Sequence, residues 1–269
     1  MHETPAHHHE SWQAATAVAV VVLLAAGYLL LMRRGSRPAH HSRDRRRTAA
    51  FLIGCAVLAA ALLPPIAPFA GEDFRGHMLQ HLLIGMYAPL FLVLGAPVTV
   101  LLRALPARHA RRLTGALRGR PMRVPAHPLT ALCLGTGSLA VLYFTPLYDA
   151  TAARPALHWL LHAHFLLSGC LFAWVVAGRD PAPTRPGVRA RLVVLGAAIA
   201  GHAVIAQLLY GGFLIDVHAP IAQVRGGAEI MYYGGDIAEL LLAAALVATW
   251  RPARATRRGR EPRTAPSAP

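Results

Sequence analysis

Two pairs of histidines carry the spacing that could do chemistry. His77 and His81 stand four residues apart, and so do His158 and His162. Four residues is about one turn of α-helix, so each pair presents both rings on one face. Neutral imidazole is a transition-metal ligand, and two such pairs on facing helices would offer four nitrogens, a set suited to copper or zinc. Three further residues join them by position: His202, Asp236 and Glu239. His202 or Asp236 would complete the shell or orient a ring. Of the two acids, Asp236 is the expected ligand and Glu239 the expected neutral hydrogen-bonder. His164 points to another face than His162. Met78 and Met231 lie at a similar level, but a methionine in an apolar helix is first of all packing material.

The elements that hold these residues are apolar. The chain is 55% hydrophobic and only 14% charged over 269 residues, and its apolar runs are long enough to cross a bilayer. Ten-residue alternating segments of the β-barrel kind are absent. The expected fold is therefore all-α: a polytopic bundle of seven transmembrane helices, over about Trp12–Met32, Thr48–Ile66, His77–Leu102, Pro128–Pro146, Ala156–Ala177, Arg191–Leu214 and Ala228–Trp250. Pro89 predicts a kink in the third. Residues 1–11 read as a polar leader carrying His7, His8 and His9. Residues 251–269 read as a basic, disordered tail. The first apolar run has no basic segment before it and no small-residue cleavage site, so it is not expected to be a cleaved signal peptide.

The net charge of +15 does not describe a nucleic-acid binder, because of where the charge lies. All 27 basic residues are arginine, and 24 of them fall into four blocks: Arg33–Arg47, Arg103–Arg123, Arg179–Arg191 and Arg251–Arg263. Arg75, Arg154 and Arg225 are the remainder. Such alternation is the positive-inside pattern. It predicts an extracytoplasmic N-terminus, a cytoplasmic C-terminus and contact with anionic lipid heads. Residues 109–117 are expected to form a surface helix in the second block. Cys55, Cys133 and Cys170 form no pair motif and are read as small apolar residues.

With that topology, a rise of ~1.5 Å per residue puts all of these polar residues in the outer half of the membrane. His77 and His81 fall within ~6 Å of the outer surface, His158 and His162 within ~10 Å, and His202 and the two acids roughly 12 to 18 Å down. Ionisable side chains at such depth are functional candidates. His218 and Asp216 belong to the last outer loop. The expected metal set is His77, His81, His158, His162, His202 and Asp236.

The motifs resemble those of the CtaG-type cytochrome c oxidase assembly factors. The matching stretches are His77-Met-Leu-Gln-His-Leu-Leu-Ile-Gly-Met-Tyr-Ala-Pro-Leu, running on to Leu94-Gly-Ala-Pro97; His158-Trp-Leu-Leu-His-Ala-His-Phe-Leu-Leu-Ser-Gly169; and Tyr232-Tyr-Gly-Gly-Asp236. The match covers about residues 50–250. The resemblance implies a non-enzymatic role in making an active heme-copper oxidase, with oxidase subunits as partners and copper as cargo. The absence of lysine and the wealth of alanine and arginine suggest a high-GC bacterial host, so a bacterial cell membrane is the expected location. The residues themselves leave other readings open: an intramembrane zinc hydrolase, a heme-binding electron carrier with axial histidines, or a structural partner acting by helix packing. Copper chaperones commonly use a cysteine pair, which this chain lacks. Homo-oligomerisation is left open by the sequence.

Overall fold

A computed structural model describes residues 5–35, 41–183 and 185–249. The predicted tail 251–269 lies outside the described residues, as do the side chains of His7, His8 and His9. Among the described residues the structure is helical, with no strand. In chain order the helices are α1 Pro5–Gly35, α2 His41–Leu62, α3 Ile66–Glu72, α4 Phe74–Leu94, α5 Pro97–Ala104, α6 Ala107–Arg118, α7 Pro128–Tyr143, α8 Leu147–Ala153, α9 Pro155–Val176, α10 Val188–Gly211 and α11 Ile221–Thr249.

Five helices are long and apolar enough to cross a membrane: α1 from Ala14, α4, α9, α10 and α11. The number rises to seven if two bent pairs each count as one span, α2 with α3 (44°) and α7 with α8 (82°). Proline accounts for both bends. It removes a backbone donor and crowds the preceding turn, and it stands at Pro64–Pro65 in the first break and at Pro146 in the second. The predicted segments thus recur with shifted ends. The third segment differs most: α4 stops at Leu94 instead of continuing to Leu102. Gly95 and Ala96 break it, with Ala96 in the left-handed region (φ 52°) and Pro97 opening α5.

That break is held from three sides. The Tyr28 hydroxyl of α1 donates to the Gly95 carbonyl (2.9 Å), and its ring stacks on Phe51 of α2 at 3.9 Å. Asp180, from the loop before α10, accepts from the Val98 and Thr99 amides (3.2 and 2.7 Å) and from the Thr99 hydroxyl (2.6 Å). Its carboxylate therefore serves the free donors of the first turn of α5. Nearby, Arg103 pairs with Asp44 at 3.1 Å, and Arg191 donates to the Val176 carbonyl at 2.9 Å. The arginine blocks of α2, α5 and α10 thus gather at one end of the bundle, around buried Asp44 and Asp180. The predicted surface helix exists as α6; none of its residues is buried.

The core runs from Leu58 and Ala61 of α2 through Phe74, Met78 and Ile84 of α4 to Leu142 and Tyr143 of α7. It continues to Ile205 and Leu209 of α10 and to Val224 and Met231 of α11. Helix α4 is the most enclosed of the long helices, which places His77 and His81 inside the bundle.

A candidate metal centre between the helices

Helix α4 starts where Asp73 caps it, accepting from the Arg75 amide at 2.8 Å and pairing with the Arg75 guanidinium at 2.6 Å. That guanidinium holds the Asp73 carboxyl below its usual range. One turn on, the helix buries His77, Met78, Gln80 and His81, each exposed by 6% or less. Packing fixes His77: its ring lies edge-on to Tyr148 at 4.9 Å, and its Nε2 stands 3.5 Å from the Tyr143 hydroxyl. The same hydroxyl contacts Met78 Sδ at 3.7 Å.

Gln80 joins α4 to α2 and α9. Its Nε2 donates to the Ala61 carbonyl at 2.8 Å, and its Oε1 stands 3.1 Å from His162 Nε2. A carbonyl only accepts, so the amide nitrogen must face Ala61 and the amide oxygen must face the imidazole. His162 therefore carries its hydrogen on Nε2, which leaves Nδ1 as a bare lone pair. That Nδ1 is buried and has no hydrogen-bond partner in the protein. His158 and His162 lie with ring centroids 4.3 Å apart.

The expected residues therefore collect on neighbouring helices. His77 and His158 line one cavity of about 200 Å³, with Tyr148 and Trp159. His81 and His202 line a second of about 80 Å³, with Glu239. His164 faces elsewhere, as expected from its spacing: its Nε2 meets the Leu134 carbonyl of α7 at 3.2 Å.

His202 is placed by α11. A Cβ on Gly235 would overlap its ring, so only glycine leaves it room, and Gly234 makes space for Leu82 in the same way. Tyr87 of α4 donates to the Gly234 carbonyl at 2.8 Å. The Tyr232-Tyr-Gly-Gly-Asp236 stretch is thus a seat for α4 and for the His202 ring. The acid that meets His202 is Glu239, with Oε1 3.5 Å from His202 Nδ1. Asp236, the acid expected from sequence, lies one residue past the glycine seat and is half-buried, whereas Glu239 follows Gly235 by one full turn and shares its face.

Sequence reasoning gave Gln80 no role, although a lone amide inside an apolar run, one turn from His77, was a readable signal. The structure also gathers Asp149, Asp216 and His218, whose ligand atoms lie within 4.8 Å of one another. His218 of this set is exposed and the two acids are half-buried, and the set is already paired internally, with His218 Nδ1 2.5 Å from Asp149 Oδ2. The Asp149 carboxylate raises the His218 pKa above 6.5, through its hydrogen bond first and its charge second.

What the fold and the site define is a many-helix membrane-type protein in which imidazoles of α4 share one cavity with α9 and another with α10. The family model "Cytochrome c oxidase caa3 assembly factor (Caa3_CtaG)" matches residues 26–253, and the chain belongs to that family. It is 33% identical to the Mycobacterium bovis protein "Uncharacterized protein Mb0105" over 239 residues, which is 81% of this chain and 36% of that protein. It is 30% identical to "Uncharacterized protein ML1998" of Mycobacterium leprae over 220 residues, 75% of this chain and 33% of that one. The chain thus spans about a third of the length of the curated relatives it matches. No solved structure matches it.

Proposed function

We propose that this protein serves the assembly of a heme-copper cytochrome c oxidase in a bacterial cell membrane by holding copper on its intramembrane histidines and releasing it to an oxidase subunit. Family membership supports the assembly role. The copper reading is carried by one observation: His81 and His162, on separate helices, each keep a buried Nδ1 that no protein group satisfies. Buried nitrogens of this kind cost free energy unless they are partnered, and a neutral imidazole nitrogen is a good donor to copper. The fit extends to His77 and His158, which share a cavity, and to His202. Asp236, half-buried on α11, stays in the proposed set as an acid close in sequence to the glycine seat. Exchange of cargo asks for an incomplete shell, and histidines without a thiolate pair give one. The site faces the extracytoplasmic side if the arginine end is cytoplasmic. The test is oxidase activity and oxidase-bound copper in cells that carry His81→Ala or His162→Ala. Both should fall several-fold at unchanged membrane level of the protein; unchanged copper in both variants contradicts the reading.

A further inference from the structure

Helices α4 and α7 each widen into a π turn, at Leu83–Tyr87 and Cys133–Gly137. Both turns border the same inner cavity: Gly85 and Met86 come from one, Gly135 and Thr136 from the other. A π turn gives up regular hydrogen-bond geometry and is found disproportionately at functional sites. Two of them around one cavity single it out. His81, His202 and Glu239 line it, exposed by only 6, 4 and 3%. Each keeps one atom without a protein hydrogen bond: His81 Nδ1, His202 Nε2 and Glu239 Oε2.

We propose that this inner cavity is a second cation station, taking a divalent first-row transition ion on His81, His202 and Glu239, apart from an outer station on His77, His158 and His162. The proposal rests on the copper reading above and divides its site in two. Gln80, bonded to Ala61 and His162, lines neither cavity and stands on α4 between His77, which lines one, and His81, which lines the other. The donors differ between the stations. The outer one is all imidazole, whereas the inner one adds a carboxylate, a harder ligand that suits a divalent ion better than Cu(I). A carboxylate so buried is costly unless a cation offsets it. The space agrees: a cavity of about 80 Å³ has room for an ion and water beside it. Among the described residues the three donor atoms do not all lie within 4.8 Å of one another, as those of Asp149, Asp216 and His218 do, so the ion would meet part of its shell through water.

The test is a Cu(II) titration of the purified full chain in nanodiscs, read by bound copper per chain and by electron paramagnetic resonance. Wild type should bind two ions. Glu239→Gln should bind one, with a nitrogen-dominated spectrum; His158→Ala should bind one, with mixed nitrogen and oxygen coordination. Gly85→Ala leaves every donor in place and sets a methyl 3.5 Å from His81 Cε1. It should weaken the inner ion at least tenfold, and it decides the matter if Glu239→Gln does not fold. A single ion in wild type, or two ions of wild-type spectrum and affinity in both Glu239→Gln and Gly85→Ala, overturns the second station. If those two variants keep all copper while His162→Ala loses it, the second station falls and the copper reading stands. If His162→Ala also keeps it, both fall.

Discussion

At the scale of single residues, partners decide what each polar group can offer. Gln80 fixes the His162 tautomer through two hydrogen bonds, and Gly235 fixes the His202 ring by leaving it room. The histidines themselves were legible from spacing, since two i,i+4 pairs in apolar runs have few other uses. The choice between Asp236 and Glu239 was not. Depth treats the two acids almost alike, and only the packing of the Gly235 face against α10 brings Glu239 to His202. A prediction at this scale concerns His218, which lies in the loop between α10 and α11 and pairs with Asp149. Its folded pKa is raised, so the pair's contribution is full below the unfolded value near 6.5 and is lost as pH climbs through the higher folded value. The His218 ring resonances should titrate with a midpoint above 6.5 in wild type and near 6.5 in Asp149→Asn. A wild-type midpoint at or below 6.5 would show that the pair does not form in solution.

At the scale of elements, the long helices were readable from apolar length, and their interruptions only where proline or glycine announced them. Pro89 marked a kink, and the structure has a π turn ending two residues before it. Proline has no amide to return to the Gly85 carbonyl, and that carbonyl is the atom against which Gly169 of α9 packs. The matching π turn in α7 has no such marker: Cys133-Leu-Gly-Thr-Gly137 reads as ordinary helix with two weak formers. The stop at Leu94 depends on Tyr28 and Asp180, far away in sequence, which local pattern cannot supply. Close approach of α9 to the first π turn makes a strong prediction. A Cβ on Gly169 would overlap the Gly85 carbonyl oxygen, and backbone cannot move aside as a side-chain tip can. Gly169→Ala should destabilise the folded protein by about 1–3 kcal/mol, read as a lowered thermal midpoint in detergent. An unchanged midpoint would mean that α9 does not sit this close to α4.

At the scale of the whole molecule, charge and chemistry occupy opposite ends. Arginines and the buried Asp44 and Asp180 tie α2, α5 and α10 together at one end. The histidine pairs, the outer cavity and the Asp149–His218 contact lie toward the other, where α3, α8 and the loop before α11 cover the bundle, and the inner cavity, which reaches Leu90, Ala173 and Leu242, lies between the two ends. This division was visible in the sequence as arginine blocks alternating with arginine-poor loops, because charge placement is a linear pattern. The splitting of the histidines into two cavities was not, because it depends on which helices are neighbours. The account as a whole stands on imidazoles from α4 and α9 acting jointly on copper. The most direct measurement is copper retained per purified chain after dialysis, in wild type and in two double variants, His77→Ala with His81→Ala and His158→Ala with His162→Ala. The double variant of His77 and His81 removes donors from both stations and should lose most of the copper that wild type keeps, and that of His158 and His162 should lose about half, both remaining monodisperse; retention of the wild-type amount by either would contradict the claim.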